Sequence, residues 1–147
     1  EGATFPIDAT CNGANRSPAL AWINAPVGTM SFALLLTDTT SNLIQWAIYD
    51  IPAPRVALPD DVDKTYAPPD VPGAHQTRSF NAEITGYLGP CPPGVAPHMY
   101  RFTLHALDVP TLPGTSAATS RPQIATLVGD HDLATATLSG SYMQPPP

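Results

Sequence analysis

His98 and Tyr100 stand two residues apart in a stretch whose side chains alternate as those of a strand do, so an imidazole and a phenol fall on one side of it, followed there by Phe102 and Leu104. Asp38 closes a second apolar row made of Phe32, Leu34 and Leu36. Gln45 opens a third, which runs on through Ala47, Tyr49 and Ile51. Each row is apolar and carries a polar residue at one end. If the three faces share a core, the carboxylate, the amide, the imidazole and the phenol meet at one rim, where partial burial gives them a reason to pair. Such a group is a candidate small polar pocket, in which an imidazole can hydrogen-bond a partner in either protonation state.

Other chemistries find less support. His75, His105 and His131 show no zinc-ligand spacing, and Asp130-His131-Asp132 reads as an ordinary polar connection, so no metal and no cofactor is expected. No G-x-S-x-G motif marks a serine hydrolase. Cys11 and Cys91 lie too far apart for a CxxC motif, and on their spacing alone they are either two buried thiols or one long-range bridge.

The elements that must position these residues are strands. Segments 19–23, 31–38, 44–51, 99–108 and 133–142 alternate or run apolar between turn residues. One helix is expected over 121–128: Ser120 with Gln123 forms a capping box, Pro122 fits the first turn, and Gly129 can end it. Residues 52–72, with six prolines, read as one long surface loop. Trp22 and Trp46 read as core.

A chain of 147 residues suits one domain, and the patterned apolar residues, 43% of the whole, argue against disorder despite 19 prolines. Lys64 is the sole lysine and the formal net charge is −6, so no basic stripe can neutralise a run of phosphates and nucleic acid is excluded as a partner. No apolar run approaches the roughly 18 residues of a transmembrane segment. A targeting peptide is absent or already removed.

Three segments together resemble the phosphatidylethanolamine-binding protein family, in its bacterial Raf-kinase-inhibitor-like branch. The first runs from Cys11 through Asn15-Arg16-Ser17-Pro18-Ala19-Leu20-Ala21-Trp22 and Pro26-Val27-Gly28-Thr29-Met30-Ser31-Phe32-Ala33 to Asp38. The second is Trp46-Ala47-Ile48-Tyr49-Asp50-Ile51-Pro52. The third and most specific is Gly86-Tyr87-Leu88-Gly89-Pro90-Cys91-Pro92-Pro93-Gly94 followed by His98-Met99-Tyr100-Arg101-Phe102. The resemblance spans nearly the whole chain, which it makes a single domain. It implies a mostly β fold, a β-sandwich with one short helix and a small anion-binding pocket at one end. Asp38, His98 and Tyr100 match the pocket's acid, histidine and tyrosine, and Gly89 and Pro90 match its wall. Cys11 and Cys91 match positions that are bridged in similar exported members, which implies a disulfide and a periplasmic or secreted protein, the cytoplasm being the alternative.

The sequence departs from the family pattern in the pocket. Gln45 stands where the family usually has histidine, and an amide never carries positive charge. Only residues 39–44 separate Asp38 from Gln45, so a proline- and aromatic-bearing part of the wall is shortened, and the family's first strand is trimmed before Thr4. The leading expectation is a binding module for a small anionic or polar ligand held by Asp38, Gln45, Gly89, Pro90, His98 and Tyr100. A second is an acid–base enzyme of secondary metabolism, with Asp38 and His98 as its catalytic pair and cyclisation or dimerisation as its chemistry. A third is an inhibitor of a kinase or protease, with a protein target.

Overall fold

The computed structural model describes residues 2–147. Its centre is a six-stranded sheet in the order β1-β8-β7-β3-β4-β6, and a two-stranded sheet, β2-β5, lies against one face of it. The long strands are β3 (Ser31–Asp38), β4 (Leu43–Pro52), β7 (His98–Leu107) and β8 (Asp132–Tyr142). The short ones are β1 (Ala3–Thr4), β2 (Leu20–Ala21), β5 (Ala57–Leu58) and β6 (His75–Gln76). All the long neighbours are antiparallel, whereas β1 joins β8 in parallel. This is a mostly β sandwich with one helix, as expected.

Alternation sorts the two faces. Phe32, Leu34, Leu36, Trp46, Ile48, Tyr100 and Phe102 bury one face against Leu58 of β5 and the half-buried Leu20 and Trp22. Ala33, Leu35, Ala47 and Tyr49 bury the other against Ile124 and Val128 of α1 (Arg121–Asp130). Ser120 and Gln123 form the expected capping box. Gly129 does not end the helix: it lies inside, and His131 is the C-cap, its N–H bonded to the Val128 carbonyl.

The row Gln45, Ala47, Tyr49, Ile51 needs correction, because β4 does not keep one parity. Phe32 pairs with Ile51 but Leu34 pairs with Ile48, so Tyr49 and Asp50 together oppose Ala33. Asp50 takes a φ of 57° at this bulge, and the irregularity returns Ile51 to the face of Trp46 and Ile48 while Ala47 and Tyr49 stay under the helix. A second shift leaves Gln45 unmatched between Trp46, opposite Leu36, and Ile44, opposite Thr37.

Residues 52–72 also differ from the single surface loop expected. They contain β5, and Leu58, Val62 and Val71 are almost wholly buried in the main core. The prolines break regular structure, but the apolar residues between them cover the sheet face that two short strands cannot.

Candidate functional site

The site lies where β3 ends and β7 begins. Asp38 pairs in register with Tyr100, and His98, two residues earlier on β7, pairs with Tyr142 of β8. Residues 98 and 100 therefore point to the same face, and their rings lie 6.4 Å apart at 27°. The Asp38 Oδ2 contacts the His98 Nδ1 at 2.6 Å. Its Oδ1 accepts the backbone N–H groups of Thr40 and Ser41 at 2.9 and 3.1 Å. That turn arises because an aspartate at a strand end can bond the backbone two and three residues on.

Both members of the pair are withdrawn from water, with side-chain exposures of 4% for Asp38 and 13% for His98. Burial acts to raise the Asp38 pKa, but the bonds from His98 and from Ser41 outweigh it and hold the carboxyl below its ordinary value. The acid thus stays ionised and fixes the imidazole through Nδ1.

Tyr100 is fully buried and, among the described residues, its hydroxyl proton finds no acceptor. Burial pushes the phenol pKa up, the neighbouring Asp38 charge pushes the same way, and the Cys91 N–H works against both. Gln45 is buried too, and its Oε1 has no partner among the described residues. Buried polar atoms left without partners are uncommon and call for an explanation.

Gly89 and Pro90 are buried beside the disulfide. The Gly89 N–H donates to Asn15 Oδ1 at 2.8 Å, and the Cys11 N–H donates to the Pro90 carbonyl at 3.2 Å. A Cβ at Gly89 would fall 1.9 Å from the Ala9 carbonyl oxygen, so only glycine fits there. Cys11 and Cys91 are bridged, with Cα atoms 5.4 Å apart.

The structure thus joins Asp38 to His98 directly, sets Tyr100 beside them, and ties Gly89-Pro90-Cys91 to the segment around Cys11. Gln45 shares the end of the sheet, but its carbonyl bonds to none of them. Sequence reasoning missed Asn15, whose side chain seats the Gly89 loop from a backbone φ of 55°. It also missed Thr40, whose hydroxyl accepts the Met99 N–H at 2.9 Å and locks the Asp38 turn to β7. The signal for both was the ordinary turn chemistry of Asn, Asp and Thr, which recurs throughout loops.

The remaining histidines pair with aspartates elsewhere: His75 with Asp50 at 2.9 Å, His105 with Asp132 at 3.1 Å and His131 with Asp108 at 2.9 Å. Ser17 is structural: it is buried and accepts the Val62 N–H at 2.9 Å.

A sandwich of one large and one small sheet, with a carboxylate–imidazole pair at its end, defines a class of small β domain. The sequence profile of the phosphatidylethanolamine-binding protein family matches residues 1–143, and the chain belongs to that family, in its bacterial branch. Over 145 residues it is 34% identical to a UPF0098 protein of Aquifex aeolicus, covering 96% of this chain and 82% of the relative. It is 35% identical over 136 residues to YbhB of Escherichia coli, covering 89% and 84%. The crystal structure of Escherichia coli YbcL, described as a new member of the mammalian PEBP family, superposes with a TM-score of 0.85 at 29% identity, covering 98% of this chain and 93% of that one.

Proposed function

We propose that this protein binds a small ligand through an anionic or polar group, phosphate-like or carboxylate-like, held by His98 and Tyr100 with Asp38 orienting the imidazole. Gly89 and Pro90 wall the site, and Gln45 offers an amide beside it. The observation that carries this reading is the Tyr100 hydroxyl, whose proton finds no acceptor among the described residues, buried next to a histidine whose Nδ1 is already committed to Asp38. A phenol O–H in that position is a donor lacking an acceptor, and an anionic oxygen supplies one. The family's name, which speaks of a phosphate-bearing headgroup, agrees with that chemistry. Gln45 in place of a cationic side chain makes the site weaker for anions and more tolerant of neutral polar groups.

Isothermal titration with phosphate, acetate and phosphoethanolamine tests the proposal. Binding of at least one is expected, weakened at least about tenfold in His98→Ala, which is the loss of one charge-assisted hydrogen bond. No heat with any of the three, or equal binding in the variant, overturns it.

The Cys11–Cys91 bridge supports an oxidising compartment, the periplasm or the cell exterior. Among the described residues no helix is long and apolar enough to cross a membrane.

A further inference from the structure

Arg78 and Arg121 line one cavity, and neither has an acid for a partner. The chain holds six basic residues against twelve acidic ones, so a cation in it has no shortage of carboxylates to find. Arg16 takes Asp60 and Asp61. Among the described residues, no ion pair forms at Arg78 or Arg121. Arg121 is half-buried, and its guanidinium donates to the neutral Ile44 carbonyl. Burial pushes its pKa down, and no carboxylate among the described residues opposes that. A cation withdrawn from water without a counter-ion is costly, so the missing anion is the feature to explain.

The cavity has a volume of about 200 Å³ and is formed by residues 117–121, which lead into α1, with Arg78 and Ser79, which follow β6. Both walls are held by their own hydrogen bonds. Arg78 pairs with Thr85 in an isolated bridge, and the buried Ser79 donates to the Asn81 carbonyl at 2.7 Å. On the other side the Ser116 N–H donates to Thr119 Oγ1 at 2.9 Å, and the Thr119 N–H returns to the Ser116 carbonyl at 3.0 Å. The arginines thus sit on backbones that need not rearrange to receive a ligand. The helix end adds little: Ser120 and Gln123 cap each other and Pro122 has no N–H, so attraction rests on the two guanidinium groups. None of these residues belongs to the site of Asp38, His98 and Tyr100. Tyr100 lies on the face of Trp46 and Phe102, whereas α1 covers the other.

We propose that this cavity is a second, independent binding site, in which Arg78 and Arg121 hold a phosphate-class dianion, free or as the monoester of a small molecule. A guanidinium presents forked donors that match phosphate oxygens, and two of them on separate segments can take two edges of one anion. A dianion offsets both charges. The volume is several times the roughly 30 Å³ share of a water molecule, which leaves room beside the anion for an ester's organic part against Ala117 and Ala118. With a net charge of −6 the molecule does not draw anions from a distance, so the attraction is local and the affinity modest.

NMR titration of isotope-labelled protein at constant ionic strength, reading the amides of 78, 79 and 117–121 and the arginine Nε–H signals, tests the proposal. Inorganic phosphate and glycerol phosphate are expected to shift these signals saturably, with Kd of about 1–10 mM in the wild type and in His98→Ala alike. Acetate, with one charge, is expected to bind at least about threefold more weakly. Arg78→Gln and Arg121→Gln each weaken both phosphates at least about tenfold. Should Arg121→Gln fail to fold, Arg78→Gln decides alone, because that side chain is exposed and makes no hydrogen bond among the described residues. A tighter ester identifies a phosphorylated small molecule as the occupant and a tighter free phosphate the ion itself; both support the site. Shifts that grow linearly as they do with chloride, that acetate matches, or that persist in Arg78→Gln overturn it. Shifts confined to the surroundings of His98 and lost in His98→Ala also overturn it, while leaving the proposed function standing. Shifts at Arg78 and Arg121 with none near His98 support this site and count against that function.

Discussion

Asp38 holds three donors at once, and its ionisation is part of the fold. Because its folded pKa lies below the unfolded value, the stability it contributes is fully present above the unfolded value and is lost as pH falls through the folded one. Wild-type stability should therefore decline more steeply than that of Asp38→Asn below about pH 4, by about 1–3 kcal/mol in all. Denaturant unfolding at a series of acid pH values measures this, and parallel curves for the two proteins would mean that the carboxylate is not ionised in the native state. At Gly89 the constraint is steric instead. Gly89→Ala places a methyl against the Ala9 carbonyl and the Tyr87 hydroxyl, whose bond to that same carbonyl, at 2.6 Å, is buried. The expected loss is about 2–4 kcal/mol, with weaker ligand binding because the wall must move.

Elements whose pattern is carried by neighbouring residues were legible in the chain. β3 was read to the residue, and β7 and β8 to within one or two, because Phe32, Leu34, Leu36, Phe102 and Leu104 alternate without interruption. The helix start was legible from Ser120 and Gln123, and Ser120→Ala should cost about 1 kcal/mol by chemical denaturation, since it frees the Gln123 N–H. β4 was read as present, but its faces were not, because a bulge is a pairing property that leaves no mark on the strand's own alternation. Asp50 makes the point. Its carboxylate accepts the Leu112 N–H at 2.7 Å and pairs with His75, from a left-handed backbone that Asp and Asn tolerate better than most residues. Burial raises its pKa, although the Leu112 N–H and His75 oppose this. Asp50→Asn therefore removes the cost of a buried charge and keeps the acceptor, and should change stability by less than about 1 kcal/mol. Asp50→Ala should lose about 2–4 kcal/mol, because it leaves the Leu112 N–H unpaired in a strained turn. Equal losses would show that the bulge, not the hydrogen bond, sets the penalty.

At the scale of the molecule, the candidate site depends on long-range contacts that strand alternation offered only on the condition of a shared core, and that the resemblance to other proteins made specific. Composition left Cys11 and Cys91 either free or bridged, whereas the fold places them side by side across 80 residues. Asp38 and His98 are 60 residues apart, and neither spacing nor charge pattern joins them. The bridge has two separable consequences. In the chain-entropy account, closing a loop of that length stabilises the domain by about 4.5 kcal/mol, so reduction should lower the melting temperature by roughly 10–15 °C. Locally, Cys91 follows Gly89 and Pro90 and its N–H approaches the Tyr100 hydroxyl, so the same reduction should loosen the pocket wall. Titrating phosphoethanolamine into oxidised and reduced protein at a temperature where both are folded separates the two effects. Weaker binding in the reduced form means that the disulfide shapes the site as well as the fold; unchanged affinity with a lowered melting temperature means that Asn15 and the Ala9 turn suffice to hold the wall.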